Sequence, residues 1–253
     1  MKCIILAAGY ATRLYPLTEN FPKPLLEVQG KTILDHLIDD LETEHKIDEY
    51  IVISNHKFFE IFNTWAKKHD CKITVLDDGS ITNETRLGAV NDIKFAVDKL
   101  NIKDDCLVIA GDNLLDFSLN DFLNYATSKQ TSCVMRHYQN DINKLRRTGV
   151  LELDNNDKVL GMEEKPENPK SNYACPPFYY YLNKDLQLIN QAIQEGCNAD
   201  APGSFVSWLC KKDSIHAFLM PGNRYDIGNL ESYNNIRENY KGVNYENKSR
   251  FNK

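Results

Sequence analysis

The stretch Leu6-Ala7-Ala8-Gly9-Tyr10-Ala11-Thr12-Arg13-Leu14 runs from an apolar segment into a loop of small residues closed by an arginine, and Pro22-Lys23-Pro24 follows it. Small side chains let backbone N–H groups approach phosphate oxygens. Arg13 adds a planar fork suited to those oxygens, and Lys23 a compact positive charge. The loop is neither GxxxxGK[ST] nor GxGxxG, and Gly-containing loops are common, so its chemistry alone leaves a phosphate cradle and a plain surface loop both open. Further on, Val108-Ile109-Ala110-Gly111-Asp112-Asn113 delivers a carboxylate at the end of an apolar run. Ligands of open α/β sheets bind at such strand ends, and a carboxylate there is a natural hard-oxygen ligand for Mg²⁺. An Asp in that place also forms turns and caps helices. Met162-Glu163-Glu164-Lys165-Pro166 reads, by itself, as a solvated charge run.

These residues need a scaffold. The chain has 253 residues, enough for one sizeable core or a core with a modest insert, with 42% hydrophobic and 26% charged residues as in ordinary globular proteins. Its net charge of -6 argues against broad nucleic-acid binding but allows a local basic cluster facing an anionic substrate. No apolar run approaches the roughly 20 residues that span a bilayer, and the first residues lack a cleavable signal pattern. A cytoplasmic protein with no membrane partner is expected. Seven cysteines show no CxxC and no zinc spacing with the six histidines, so reduced, non-ligating thiols are expected.

Apolar periodicity predicts strands at Cys3–Ala7, Tyr50–Ser54, Ile73–Leu76 and Cys106–Ala110, alternating with helices at Ile33–Glu44, Phe58–His69 and Gly88–Leu100. That alternation indicates a doubly wound, mostly parallel, Rossmann-like α/β sheet. The second half is richer in strands (132–137, 149–153, 159–164, 178–182 and 215–219), with helices at 186–195, 204–211 and 231–240. A single domain over 1–240 is expected, with a nucleotide-binding half (1–125), an acceptor-binding half with a small lid region (126–240), and a polar tail (241–253).

Taken in order, LAAGYATRLYPLT and FPKPLLEV resemble the signature of the sugar-phosphate nucleotidyltransferase family, which includes glucose-1-phosphate thymidylyl- and uridylyltransferases and mannose-1-phosphate guanylyltransferases. The resemblance is collinear from residue 1 to about 240 through four further blocks. It implies a reaction that forms an NDP-sugar and pyrophosphate from a nucleoside triphosphate and a sugar 1-phosphate. Nucleotide contacts then fall on Leu6, Ala7, Ala8, Gly9, Thr12, Arg13 and Lys23, and base contacts on Leu87 and Gly88 of Glu84-Thr85-Arg86-Leu87-Gly88. Gly149, Glu164 and Lys165 match the positions that hold the sugar and its phosphate. Asp112 and Asp226 (in Tyr225-Asp226-Ile227-Gly228) match metal carboxylates for Mg²⁺ or Mn²⁺. Arg13, Lys23 and Lys165 are the expected catalytic charges. Ala8 in place of a second Gly leans the base towards a pyrimidine, and the family reading leaves room for a homo-oligomer.

Three departures bear on the acceptor and the loop. Tyr10-Ala11 replaces a smaller pair, Cys175-Pro176-Pro177 stands where the family has a Gly-Ile-Tyr strand, and Asn229-Leu230 replaces Thr-Pro. Two other readings share the motifs: a cytidylyltransferase acting on phosphocholine or another non-sugar phosphate, and a catalytically silent regulatory domain of the same fold. A nicotinamide dehydrogenase lacks its GxGxxG.

Overall fold

Runs of aliphatic and β-branched residues form the strands from which the site hangs. The computed structural model describes residues 1–246; residues 247–253 of the expected polar tail lie outside the described residues. In chain order the elements are β1 (Lys2–Leu6), β2 (Glu27–Val28), β3 (Lys31–Thr32), α1 (Ile33–Glu42), β4 (Glu49–Ser54), α2 (Phe59–Ala66), β5 (Ile73–Asp77), α3 (Ala89–Lys99), β6 (Cys106–Ala110), β7 (Asn113–Leu115), α4 (Leu119–Lys129) and β8 (Ser132–Tyr138). They continue with α5 (Ile142–Leu145), β9 (Gly149–Leu153), β10 (Val159–Glu164), β11 (Tyr173–Cys175), β12 (Phe178–Tyr181), α6 (Asn183–Leu186), α7 (Ile189–Gln194), α8 (Gly203–Leu209), β13 (Ile215–Leu219), β14 (Arg224–Asp226) and α9 (Leu230–Asn239). The fold is the doubly wound, Rossmann-like α/β class with a mixed sheet.

The chain divides into two units. The first comprises Met1–Arg86, Ala110–Asp121 and the described residues from Pro221 onward. Its strands β1, β4 and β5 are parallel, with Ile4 opposite Ile51 and Val52 opposite Val75. Ile4, Ile5, Ile51, Val52 and Ile53 are fully buried, as continuous apolar runs in a parallel sheet require. The second unit comprises Leu87–Ile109 and Phe122–Met220. There β8 pairs antiparallel with β11 and β12 and parallel with β13, and β9 pairs with β10 and β11. Pro176 and Pro177 interrupt what would otherwise be one strand opposite β8: β11 and β12 both pair with it, at His137 and at Val134. A proline has no N–H for a ladder, and the bend lets the far edge of the line change partner from β9 to β6.

Helix α4 is absent from the sequence reading. Its apolar residues Leu119, Phe122, Leu123 and Ala126 are spaced helically and fully buried, and its start is set partly from outside. The Leu119 N–H donates to Asp40 Oδ2 on α1 at 2.7 Å, so a distant carboxylate adds to the local cap, in which the Ser118 hydroxyl accepts the Asn120 N–H at 3.2 Å. Asp40 is only 3% exposed. Burial raises its carboxyl from 3.8 to about 6, with Ser118 and the Leu119 N–H offsetting part of the rise. The fold thus favours the protonated form. That contribution is fully present below pH 3.8 and is lost as pH rises through about 6. Asp40→Asn keeps an acceptor for Leu119 without the charge. It should raise stability by about 1–2 kcal/mol at pH 7.5, with the gain fading towards pH 4. Urea unfolding of both proteins across that range measures this, and a pH-independent difference would contradict it.

Candidate active site

In the first unit the loop after β1 is held from beneath. The Ala7 N–H continues the ladder to Ile53 O at 3.0 Å, and buried Asn55 donates its Nδ2 to Ala8 O at 2.9 Å. Ala11 adopts the left-handed conformation (φ 48°), and its carbonyl accepts from the Thr18 hydroxyl at 2.8 Å and the Leu14 N–H at 2.9 Å. The N–H groups of Gly9, Tyr10 and Ala11 donate to no carbonyl among the described residues. Tyr10 takes no space from the loop: its ring turns inward, 6% exposed, and its hydroxyl donates to Ser80 O at 3.0 Å. Leu6 is half-buried, Ala7 and Ala8 are buried, and Gly9, Thr12 and Arg13 are exposed. Arg13 makes no ion pair among the described residues, leaving its guanidinium for a ligand.

One apolar cluster gathers the charged residues. Leu14, Leu26, Leu114 and Ile227 pack together with Val28, Ile33, Tyr233, Ile236 and Tyr240. Leu14 adjoins Arg13, Leu26 follows Lys23, Leu114 follows Asp112, and Ile227 adjoins Asp226. Strand pairing completes the approach, since β14 lies antiparallel to β7 with Asp226 opposite Asn113.

The result is a compact charge cluster. Lys23, in a short 3₁₀ turn flanked by Pro22 and Pro24, has a side chain only 8% exposed. Its Nζ lies 2.6 Å from Asp112 Oδ2 and 3.9 Å from Asp226 Oδ1. Arg224 Nη1 donates to Asn113 Oδ1 at 2.5 Å and stands 4.0 Å from Asp226 Oδ2. Asn113 Nδ2 in turn donates to Asp112 Oδ1 at 2.8 Å. Burial pushes the Asp112 carboxyl up, but the charge and hydrogen bond of Lys23, with Arg224 behind them, outweigh it and hold it below its usual range. Asp112 therefore stays ionised. No group of three or more His, Cys, Asp or Glu residues suited to a metal occurs among the described residues. The cluster does fit Mg²⁺ or Mn²⁺, which take one or two carboxylates plus substrate phosphate oxygens, and the Lys23 ammonium already occupies the place of a cation between them. Arg224 and Asn113 carry no signal in the sequence; their role arises from the pairing of β14 with β7.

In the second unit Gly149, Glu164 and Lys165 come together where β9 pairs with β10, with Glu164 opposite Gly149. A Cβ on Gly149 would lie 2.3 Å from Met162 Cε and 3.5 Å from Glu164 Oε1, so the end of the Met162 side chain would have to shift. Gly203, which the sequence reading missed, is tighter, with a Cβ falling 2.1 Å from Glu164 Oε1. Glu164 is half-buried, and burial raises its carboxyl, offset in part by Lys165 and the Gly203 N–H. Lys165 is exposed, in the left-handed region (φ 47°), with its N–H on Thr148 O at 3.0 Å. It lines a hollow of about 390 Å³ with Arg146, Pro166, Glu167 and Asn168, which places two cations in one recess.

Leu87 is 37% exposed, and Gly88 (φ 89°) precedes α3. Ala199 O and Asp200 O accept the N–H groups of Val90 and Ala89, so the helix start is capped from another segment of the same unit. A Cβ at 88 would lie 2.5 Å from Ala199 O. Gly88→Ala should cost about 1–3 kcal/mol through this contact and the positive φ. Thermal melting reads the cost; an unchanged midpoint would refute the steric argument.

A β-strand opening into a loop of unpaired amides, beside two carboxylates at strand ends, is the architecture of a nucleotide-binding α/β protein. The chain matches the nucleotidyl transferase family over residues 2–242 and belongs to that family. It is 33% identical over 229 residues to the bifunctional protein GlmU of Methanocaldococcus jannaschii, covering 90% of this chain and 51% of that protein. The chain thus spans about half the length of the curated relatives it matches. Among solved structures, UDP-glucose pyrophosphorylase complexed with UDP-glucose superposes with a TM-score of 0.77 at 19% identity, over 94% of this chain and 97% of that one. CTP:phosphocholine cytidylyltransferase from Streptococcus pneumoniae does so with a TM-score of 0.74 at 23% identity, over 95% and 99%. At those identities the likeness is one of fold.

Proposed function

We propose that this chain joins a nucleoside triphosphate to a sugar 1-phosphate, forming an NDP-sugar and releasing pyrophosphate. The observation that carries the reading is the convergence of Lys23, Asp112 and Asp226 beside a loop whose amides are free. The acceptor's phosphate oxygen forms a bond to the α-phosphorus as the bond to pyrophosphate breaks. A phosphate monoester is already an anion at neutral pH, so positioning and charge stabilisation supply the catalysis. Loop amides, Thr12, Arg13 and Lys23 hold the triphosphate, with Arg13 stabilising the departing pyrophosphate. Leu87 and Gly88 serve the base, a pyrimidine first among those to test. Gly149 and Glu164 take the sugar, and Lys165 its phosphate. Asp112 and Asp226 would hold Mg²⁺ or Mn²⁺, which when bound neutralises charge between the substrates' phosphates.

In this reading residues 1–240 work as one catalytic domain, whose 1–125 and 126–240 halves serve nucleotide and acceptor. A cytoplasmic setting suits the seven free cysteines and the lack, among the described residues, of a helix long and apolar enough to cross a membrane. Whether copies associate is a question for solution mass.

The test is pyrophosphate release from the five common triphosphates against a panel of sugar 1-phosphates and phosphocholine, with and without Mg²⁺. Release with a sugar 1-phosphate supports the proposal. Release with phosphocholine alone would move the assignment to a cytidylyltransferase, and none with any pair to a silent domain. Glu164→Gln, which keeps shape and loses charge, should raise KM for the sugar phosphate about 10-fold or more while leaving KM for the triphosphate unchanged. Equal rises for both substrates would remove Glu164 from the acceptor site.

A further inference from the structure

We propose that Lys23, supported by Arg224, is an internal counter-cation that shuts the carboxylate pair against free divalent metal until a triphosphate draws the ammonium away. The inference rests on reading Asp112 and Asp226 as the metal carboxylates. Every oxygen of that pair already faces a donor or a cation. Asp112 Oδ2 meets Lys23 at 2.6 Å, and its Oδ1 accepts from Asn113 at 2.8 Å. Asp226 Oδ1 lies 3.9 Å from Lys23 and its Oδ2 4.0 Å from Arg224. Lys23 is no solvated surface ammonium, because its side chain is 8% exposed and the turn that carries it is anchored by buried Leu25 and Leu26.

A divalent ion entering this cluster alone would have to displace a paired ammonium and lie beside it at a few ångströms, where like charges repel strongly in a partly buried site. A triphosphate changes the balance. Its oxygens offer Lys23 an alternative anion, and their added negative charge favours a metal at the carboxylates. Nucleotide and metal then bind with positive coupling, each raising the other's affinity by the same factor. Arg224, held by Asn113 Oδ1, is a positioning residue: it neutralises the outer oxygen of Asp226 and fixes the strand that carries it.

The experiment is Mn²⁺ binding to the nucleotide-free protein, followed by electron paramagnetic resonance of free Mn²⁺. Lys23→Met, which keeps an unbranched apolar stem and drops the charge, should bind Mn²⁺ at least 10-fold more tightly than the unaltered chain. Arg224→Met should show a smaller gain in the same direction. Adding Asp112→Asn to Lys23→Met should abolish the gain. Removing Lys23 also leaves two carboxylates repelling each other, so the Lys23→Met melting temperature should fall and be restored by Mn²⁺; Lys23→Gln gives a second reading if the Met variant folds poorly. Equal Mn²⁺ affinity in the unaltered and Lys23-substituted chains, at a site lost on Asp112→Asn, overturns the counter-cation while leaving the metal carboxylates standing. Binding that ignores Asp112→Asn in every variant overturns the metal reading as well.

Discussion

Replacing Asp112 by Asn is expected to lower kcat for pyrophosphate release by about 10³-fold, an effect on the order of 4 kcal/mol in the barrier. The substitution keeps the side chain's size and one oxygen, so the change isolates charge. In the folded chain that charge is held by Lys23 at 2.6 Å, and the carboxyl stays ionised although burial opposes it. Asn cannot reproduce a hard anionic oxygen for Mg²⁺. The fold should tolerate the exchange, because Lys23 retains Asp226 at 3.9 Å and Asn113 keeps its bond to Arg224. The signature is therefore a large loss of turnover with little change in melting temperature and a raised requirement for Mg²⁺. Asp226→Asn should follow the same course, and the double variant should lose far less than the product of the two, because the pair acts as a unit. A single Asp112→Asn enzyme within about fivefold of normal turnover would remove the carboxylate pair from the mechanism.

Arg13→Ala is the second large effect, an expected loss of about 10²-fold or more in kcat. Its value as a test comes from what the residue does not do. Arg13 is exposed and has no ion pair among the described residues, so truncation should change stability by no more than about 0.5 kcal/mol. A stabilising structural role predicts the reverse pattern, lost stability with retained turnover. Arg13→Lys keeps the charge but loses the planar fork, and should fall between Arg and Ala. Steady-state pyrophosphate release at saturating substrates, with a melting curve of each variant, separates these outcomes. Near-normal turnover of Arg13→Ala would end its assignment to the leaving pyrophosphate.

The parts of the site legible in the sequence are those whose geometry is local. An apolar strand followed by small residues places the amides of Gly9 to Ala11 and the side chain of Arg13 within one loop, and an apolar run ending in Asp112 sets a carboxylate at a strand end by the same local logic. The inward turn of Tyr10 was not legible, because it depends on Ser80 O standing 3.0 Å from the hydroxyl. The part of the α4 start that was not legible is Asp40, far off in the chain, which accepts the Leu119 N–H beside the local Ser118 cap. Gly203 carries no pattern of its own; the need for it appears only with Glu164 Oε1 where its Cβ would be.

What the residues determined alone was the α/β class, the loop of small residues after β1 and the identity of the charged groups, since hydrophobic period and side-chain chemistry are properties of short segments. Tertiary structure decided how those charges combine. Asp112 and Asp226 meet because β14 pairs with β7 in one register, with Asp226 opposite Asn113, and because Leu14, Leu26, Leu114 and Ile227 bury one another. The same register brings Arg224 to Asn113 and sets Lys23 between two carboxylates. No short segment encodes that arrangement, because strand register and a shared apolar cluster join residues that are remote in the chain.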